Sequence, residues 1–468
     1  METKGPSKVD PSDKSKGLRQ SGSRKINVLR PDPMDRPQNP IRIGASIRKV
    51  LEAFVSTTSK AKITGRWAAC KPRRAPGNPP RESNRQNTPN NKHRATNVMS
   101  KLMPRAQRIP IELRKSAATS ECTLHQLSPY IGKLKSSIAR FLILEYTKPG
   151  DLVVDPFCGS GTIPLEAALT GRTTFACDTS DYAALLSTAK LNPPRSEQFA
   201  LEKAKQLITE AMVLPVPDLR TIPRWVRDFF NRDTLKDVLR FAKVARREGN
   251  EFWFACFLGI LHHQRPGFLS YPSSHLVPYL RDRKYPRTRY PELYQYRALT
   301  PRLEAKIRRV FKRMRPLRSK AVFERASAEL ANLPPGVRAI ITSPPYMNAL
   351  DYERDNRLRL WFIDPSRARF QEQSASHKRK AFIDVMSALI KRSCAQLDPR
   401  GYFILVIGEE VKRTFRAEPS EVVHELVAAH APSLSLKTVF TDAIPDVRRG
   451  RRYCRGIKQE KLLIYQKE

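Results

Sequence analysis

Two short stretches carry side chains whose types and spacing could do chemistry. In DPFCGSGT (Asp155 to Thr162) an acid ends an apolar run, and Gly159 and Gly161 then turn the chain toward the next helix. Glycine tolerates positive φ and lets a ligand approach the backbone where a Cβ would obstruct it. The stretch lacks the lysine of a phosphate loop, and Glu166, Ala167 and Ala168 supply no third glycine for a dinucleotide fingerprint. Asp155 would oppose a pyrophosphate but suits a cation, and Asp178, at the end of the following apolar run, is placed to accept hydrogen bonds from a ribose. The second stretch is TSPPY, where the Ser343 hydroxyl is followed by Pro344, Pro345 and Tyr346. The prolines fix φ and remove two backbone donors, so the turn is rich in acceptors and has an aromatic face beside it.

That combination suits an exocyclic amino group on a planar base. Two acceptors on the amino hydrogens favour a pyramidal nitrogen, whose lone pair can then meet an electrophilic methyl group. S-adenosyl-L-methionine carries such a methyl on a sulfonium, together with an ammonium and ribose hydroxyls that carboxylates would hold. Tyr346 is expected to stack on the base, an interaction worth about 1–3 kcal/mol. A base inside a duplex would have to flip out to reach such a turn. Without ligands, the first stretch would be a tight βα turn and the second a proline-rich strand exit.

The elements that must position these residues can be read from periodicity. A helix with Ile138, Phe141, Leu142 and Glu145 stops at Thr147 to Gly150, before a short buried strand, Leu152 to Phe157. TIPLEAALTG is a helix closed by Gly171, and Arg172 to Asp178 is a second strand. Strand, glycine turn, helix and strand make one right-handed βαβ unit. A long, mostly helical stretch follows, with basic and aromatic residues interleaved in VPYLRDRKYPRTRYPELYQYR. In LEAKIRRVFKRMR, Leu303, Ile307, Val310, Phe311 and Met314 share one face, and Lys306 is expected with the arginines on the outside. The βα texture resumes with Val337 to Thr342 as a strand, and two strands, LKTVFTDAI and KLLIYQK, close the chain. The expected fold is α/β, a mostly parallel, doubly wound sheet with one reversed strand. The expected division is 1–120 as a disordered basic tail, 121–195 as the cofactor half, 196–335 as a helical insert for target recognition and 336–468 as the catalytic half.

With 468 residues, 40% of them hydrophobic, the chain can bury a sizeable core. Its 86 Lys and Arg against 45 Asp and Glu give a formal charge of +41, which favours a polyanionic partner, nucleic acid first. The tail is rich in Pro, Ser, Asn, Lys and Arg and cannot bury enough apolar surface to order itself. The seven cysteines are scattered with no C-x-x-C pair, which argues against a zinc ribbon or a disulfide framework. His262 and His263 lack companions for a metal site and read as structural, so no metal is expected. Phe252 to Leu261 is too short to span a bilayer, for which ~20 residues are needed, and reads as a buried helix.

Taken together, DPFCGSGT and TSPPY resemble the cofactor and catalytic motifs of the amino-group DNA methyltransferases. These are S-adenosylmethionine-dependent enzymes that modify cytosine N4 or adenine N6. The resemblance covers about residues 122–468. It implies a Rossmann-like class I fold with seven strands, the last inserted antiparallel. It places cofactor contacts at Asp155, Phe157, Gly159, Gly161, Thr162 and Asp178, and catalytic roles at Ser343, Pro344, Pro345 and Tyr346. The upstream SPYIGKLKSSIARFLI is similar to the segment that caps the cofactor's methionine end, which would put Tyr130 and Lys133 there. Ser343, standing where relatives of other specificity have Asp or Asn, is associated with cytosine N4. Ser327 stands where an acid would be expected near the adenine ring.

The resemblance thus implies a prokaryotic, cytoplasmic, DNA-associated methyltransferase acting on duplex DNA with a flipped base, and it leaves open whether a restriction endonuclease is its partner. A cytosine C5 mechanism would need a Pro-Cys nucleophile, and the chain has no such dipeptide. Two other functions fit the same residues: an RNA base methyltransferase acting on guanine N2 or adenine, and a non-catalytic nucleic-acid-binding protein on a methyltransferase scaffold.

Overall fold

The computed structural model describes residues 103–110, 113, 121–130, 132–263, 265–272, 283–345, 356–367, 375–410, 418–443 and 457–468. Tyr346, the helix expected over Ile43 to Val55 and the basic cluster DVRRGRRYCRG lie outside them.

The centre is a mixed sheet of eight strands. They are β1 (Gln107–Arg108), β2 (Leu152–Asp155), β3 (Thr173–Cys177), β4 (Ala321–Glu324), β5 (Val337–Thr342), β6 (Leu397–Glu410), β7 (Leu434–Ala443) and β8 (Ile457–Lys467). Their order is β1-β7-β8-β6-β5-β2-β3-β4. All neighbouring pairs are parallel except those of β8, which runs antiparallel to both β6 and β7. The reversed terminal strand is therefore present, inserted between its two neighbours. The expected number of strands, seven, is corrected to eight. β1 is only two residues long, and a pair of residues leaves no periodicity in a sequence. It lies within the stretch whose composition reads as tail, and Ile109 just after it is buried. β4 likewise falls inside the range read as helical insert.

Among the described residues there are eleven α-helices: α1 (Ser136–Tyr146), α2 (Thr162–Leu169), α3 (Asp181–Leu191), α4 (Glu197–Met212), α5 (Arg224–Arg227), α6 (Arg232–Ala245), α7 (Glu251–Leu261), α8 (Leu299–Phe311), α9 (Arg357–Ile363), α10 (Ala375–Gln396) and α11 (Pro419–His430). Alternation along the strands divides two cores. Val153, Ala339, Ile341 and Ile404 face α1 and α2, whereas Val154, Ile340, Phe403 and Leu405 face α10 and α11. A third core forms among α3, α4 and α6–α9, where Phe241, Phe257 and Phe362 are buried together with Leu186 of α3. The run Phe252 to Leu261 is buried from end to end, as its uniform apolarity requires.

In α8, Leu303, Ile307 and Val310 are buried as their spacing predicts. Lys306 is not on the outside. It is buried, and its Nζ donates to the Gln126 carbonyl at 2.6 Å. Burial lowers its pKa to about 8. Helical spacing assigned Lys306 by charge alone, and the carbonyl that receives it lies 180 residues away in the chain.

Candidate functional site

Parallel strands β2, β3 and β5 end on one edge of the sheet, and the residues of both motifs follow those ends. In the register between β2 and β5, Val154 pairs with Ile340, so Asp155 closes one strand beside Thr342 at the close of the other. The Thr342 hydroxyl donates to Asp155 Oδ1 at 2.6 Å and accepts from the Phe157 N–H at 3.2 Å. The turn that begins at Pro156 and the turn that begins at Ser343 are thereby tied together at their roots. Crevices of this kind, beyond the carboxyl ends of parallel strands, are where open α/β sheets bind ligands.

The glycine turn is held from two sides. Gly159 N donates to Asp178 Oδ2 and Ser180 N to Asp178 Oδ1, both at 2.9 Å, and Cys158 N donates to the Cys177 carbonyl at 3.1 Å. Gly161 has φ +70°, and a Cβ there would lie 2.7 Å from Ser187 Oγ, so this position requires glycine. Gly161 opens α2, with Thr162 buried at its first position. From α3, Ser187 Oγ donates to the Gly159 carbonyl at 3.2 Å, and the buried Lys190 amine donates to the Ser160 carbonyl.

A third segment, Ser128 to Tyr130, covers the turn. A Cβ on Gly159 would meet the Tyr130 ring at 3.3 Å, which places that ring against the turn. Tyr182 of α3 anchors the segment. Its hydroxyl donates to the Pro129 carbonyl at 2.7 Å, it pairs with Ser128 Oγ at 2.6 Å, and its ring lies 5.7 Å from that of Tyr130. Lys133 donates to the His125 carbonyl at 2.9 Å. His125 Nε2 is bonded to Glu166 Oε1 at 2.7 Å, so this polar cluster runs beneath the turn into α2. Burial drives the pKa of Lys190 well below its ordinary value and also lowers that of Lys133.

On the catalytic stretch, Ser343 Oγ donates to the Val406 carbonyl of β6 at 3.3 Å. Pro344 is buried and Pro345 exposed. Ser327 follows β4, and its carbonyl receives the Leu330 and Ala331 N–H groups. His262 is buried with Nδ1 on Ser270 Oγ at 2.7 Å, a structural bond, and among the described residues no cluster of His, Cys, Asp and Glu could hold a metal ion.

The electrostatics of the crevice are acidic at its base. Desolvation raises the Asp155 carboxyl to about 7, against the opposing effect of its hydrogen bonds from Thr342 and Phe157 N. Asp178 is also raised by burial, with the N–H bonds from Ser180 and Gly159 acting against it. Two carboxylates short of water near a glycine turn favour a cationic ligand over an anionic one.

Sequence reading did not single out Thr342, Tyr182, Ser187 or Lys190. Each acts through a group distant in the chain, and a threonine closing a strand or a lysine on a helix carries no local signal. A separate cavity of about 470 Å³ is lined by Arg140, Arg172, Arg315 and Arg318. Pro149, Arg172 and Arg318, which precede β2, β3 and β4, place it at the opposite edge of the sheet from both motifs.

Residues 127–213 match the family model described as RMKL-like, methyltransferase domain. Over this stretch the chain is similar to a methyltransferase domain. S-adenosyl-L-methionine is the cofactor of such a domain, and the two carboxylates, the glycine cradle and Tyr130 fit a ligand that carries a sulfonium and an ammonium. A curated relative is the Type II methyltransferase M.MjaII of Methanocaldococcus jannaschii, 25% identical over 89 residues; the match covers 19% of this chain and 16% of the relative's length. Among solved structures, TrmN from Thermus thermophilus is 12% identical, with 74% of this chain and 52% of that chain covered and a TM-score of 0.31. The rRNA methyltransferase aviRa from Streptomyces viridochromogenes is 11% identical, with 76% and 96% covered and a TM-score of 0.28. The chain thus matches about half the length of the first of these structures and a much smaller share of the curated relative. Among the described residues no helix is long and apolar enough to cross a membrane.

Proposed function

We propose that the protein is an S-adenosylmethionine-dependent methyltransferase acting on the exocyclic amino group of a nucleic-acid base, with cytosine N4 in duplex DNA as the first target and adenine N6 as the second. The observation that carries this reading is the pair of hydrogen bonds at Thr342, whose hydroxyl donates to Asp155 Oδ1 and accepts from the Phe157 N–H, rooting the SPPY turn beside the glycine turn.

When bound, the cofactor supplies an electrophilic methyl on a sulfonium. Asp155 and Asp178 would favour its positive charge and its ribose, and the Gly159 and Gly161 turn leaves room for it to approach the backbone. Ser343 Oγ, with its proton directed to the Val406 carbonyl, accepts one amino hydrogen of the base. The carbonyls of the proline pair accept the other, because neither proline can donate. Tyr346 stacks on the base. In such a transfer the amino nitrogen would take the methyl, S-adenosylhomocysteine would leave, and the Ser343 hydroxyl, a weak base, would leave the extra proton to solvent. No covalent bond to the protein forms. Helices α4–α8 are read as the target-recognition region, and the surplus of positive charge supports a polyanionic substrate.

The test is transfer of tritiated methyl from S-adenosylmethionine to duplex DNA and, in parallel, to transfer RNA. Transfer to DNA that falls at least a hundredfold in Ser343→Ala is expected, the loss of a positioned acceptor from the reacting amine. Transfer to RNA alone would reassign the substrate, and undiminished activity in the Ser343→Ala protein would remove the proposed role of the turn. Absence of cofactor binding by calorimetry would leave only the scaffold reading.

A further inference from the structure

We propose that Thr342 is a positioning residue whose hydroxyl couples the two turns, so that the protonation state of Asp155 sets the geometry of both cofactor and base sites. The proposal rests on the functional reading above and adds to it a role for Thr342, the first residue of TSPPY, and a linkage to Asp155 that neither motif shows by itself.

Thr342 is fully buried at the last position of β5, immediately before Ser343. Its hydroxyl can donate one hydrogen bond, and it gives that bond to Asp155 Oδ1 at 2.6 Å. Its oxygen accepts the Phe157 N–H at 3.2 Å, and the same N–H also reaches Asp155 Oδ1 at 3.3 Å. Three groups from two strands therefore share one closed arrangement. Ionised, Asp155 accepts both donors, and the hydroxyl is held with its proton on the carboxylate. Once protonated, the carboxyl becomes a donor, and the Thr342 hydroxyl no longer needs to face it. Phe157 precedes the glycines by two residues, so a change at this junction moves the cofactor turn, while the same change at Thr342 moves the root of Ser343.

The other ionisable groups facing Asp155 do not supply the switch. Asp178 lies across the turn on the exit of β3 and raises Asp155 further. The thiols of Cys158 and Cys177 are pushed up by burial and stay neutral. Among the described residues, the Thr342 hydroxyl and the Phe157 N–H are the donors that favour its charged form.

The experiment uses the full chain as Thr342→Val, which keeps the shape and removes the hydroxyl, and as Thr342→Ser, which keeps the hydroxyl. S-adenosylmethionine binding is followed by calorimetry from pH 5.5 to 8.5, and methyl transfer at saturating cofactor is measured beside it. Wild-type affinity is expected to fall as pH drops through the Asp155 transition. In Thr342→Val that transition moves up by about one pH unit, the value of one hydrogen bond to a carboxylate, and kcat falls by about tenfold or more. Affinity at pH 8.5 stays within about threefold of wild type, because the carboxylate is then ionised in both. Thr342→Ser restores the transition and kcat. A Thr342→Val protein with an unmoved transition, or one with full kcat, would overturn the coupling. If the valine variant does not fold, a folded Thr342→Ser protein with a displaced transition overturns it equally. Should the wild type methylate neither DNA nor RNA, the functional reading fails while the binding profile still decides on the coupling.

Discussion

Asp155 is an aspartate whose surroundings reverse its usual balance. Burial raises its carboxyl from an ordinary value near 4 to about 7, more than the hydrogen bonds from Thr342 and Phe157 N can offset. Because the folded-state value lies above the unfolded one, the folded chain binds more protons between those two values. The contribution of this group to stability is therefore full at acid pH and is lost as pH rises through about 7. Asp155→Asn keeps the acceptor oxygen and removes the titration. Its stability relative to wild type is expected to improve by roughly 2–4 kcal/mol between pH 5 and pH 8, read from denaturation midpoints at the two pH values. Gly161 gives a second prediction at this scale. Gly161→Ala would set a Cβ 2.7 Å from Ser187 Oγ and 3.2 Å from its Cα, at φ +70°. A loss of about 1–3 kcal/mol in unfolding free energy is expected, with cofactor binding reduced in step, measured by urea denaturation and calorimetry. The conformational need at Gly161 was legible in the sequence as a G-x-G turn, but the reason it excludes a methyl group, the side chain of Ser187, was not.

Helix α3 serves the glycine turn more than its own sequence suggests. Tyr182, Ser187 and Lys190 lie on one half of it and reach, in turn, the Pro129, Gly159 and Ser160 carbonyls. Those carbonyls belong to the cap segment and the turn, so α3 holds both in register. Lys190→Met keeps length and apolar bulk but removes the donor to Ser160. It is expected to weaken cofactor binding by roughly fivefold, near the net worth of one hydrogen bond, with the thermal midpoint moving much less than in Gly161→Ala. Calorimetry with S-adenosylmethionine and a melting curve check both halves. Helix α8 shows the limit of periodicity from the other side. Its apolar stripe was legible because three buried residues recur at helical spacing, while Lys306 was misplaced because spacing cannot see a carbonyl on another segment.

At the scale of the molecule the excess of positive charge is the dominant property. Charge of this size predicts nucleic-acid binding driven by counterion release. Affinity for a short duplex should fall by about a thousandfold or more between 50 and 200 mM salt, read by fluorescence anisotropy. An affinity indifferent to salt would exclude the phosphate backbone as the main contact. Composition, the G-x-G turn, the SPPY turn and the βα rhythm were determined by the sequence itself, because each depends on residues within a few positions of one another. The mixed sheet with its reversed last strand was foreseen in outline for the same reason, since two strands close the chain with little room for a helix between them. Only the tertiary structure decided that β1 and β4 join that sheet, that Lys306 is buried, and that Thr342 joins Asp155 across 187 residues of chain. Those outcomes depend on hydrogen bonds and burial between distant segments, which exist only once the strands have paired.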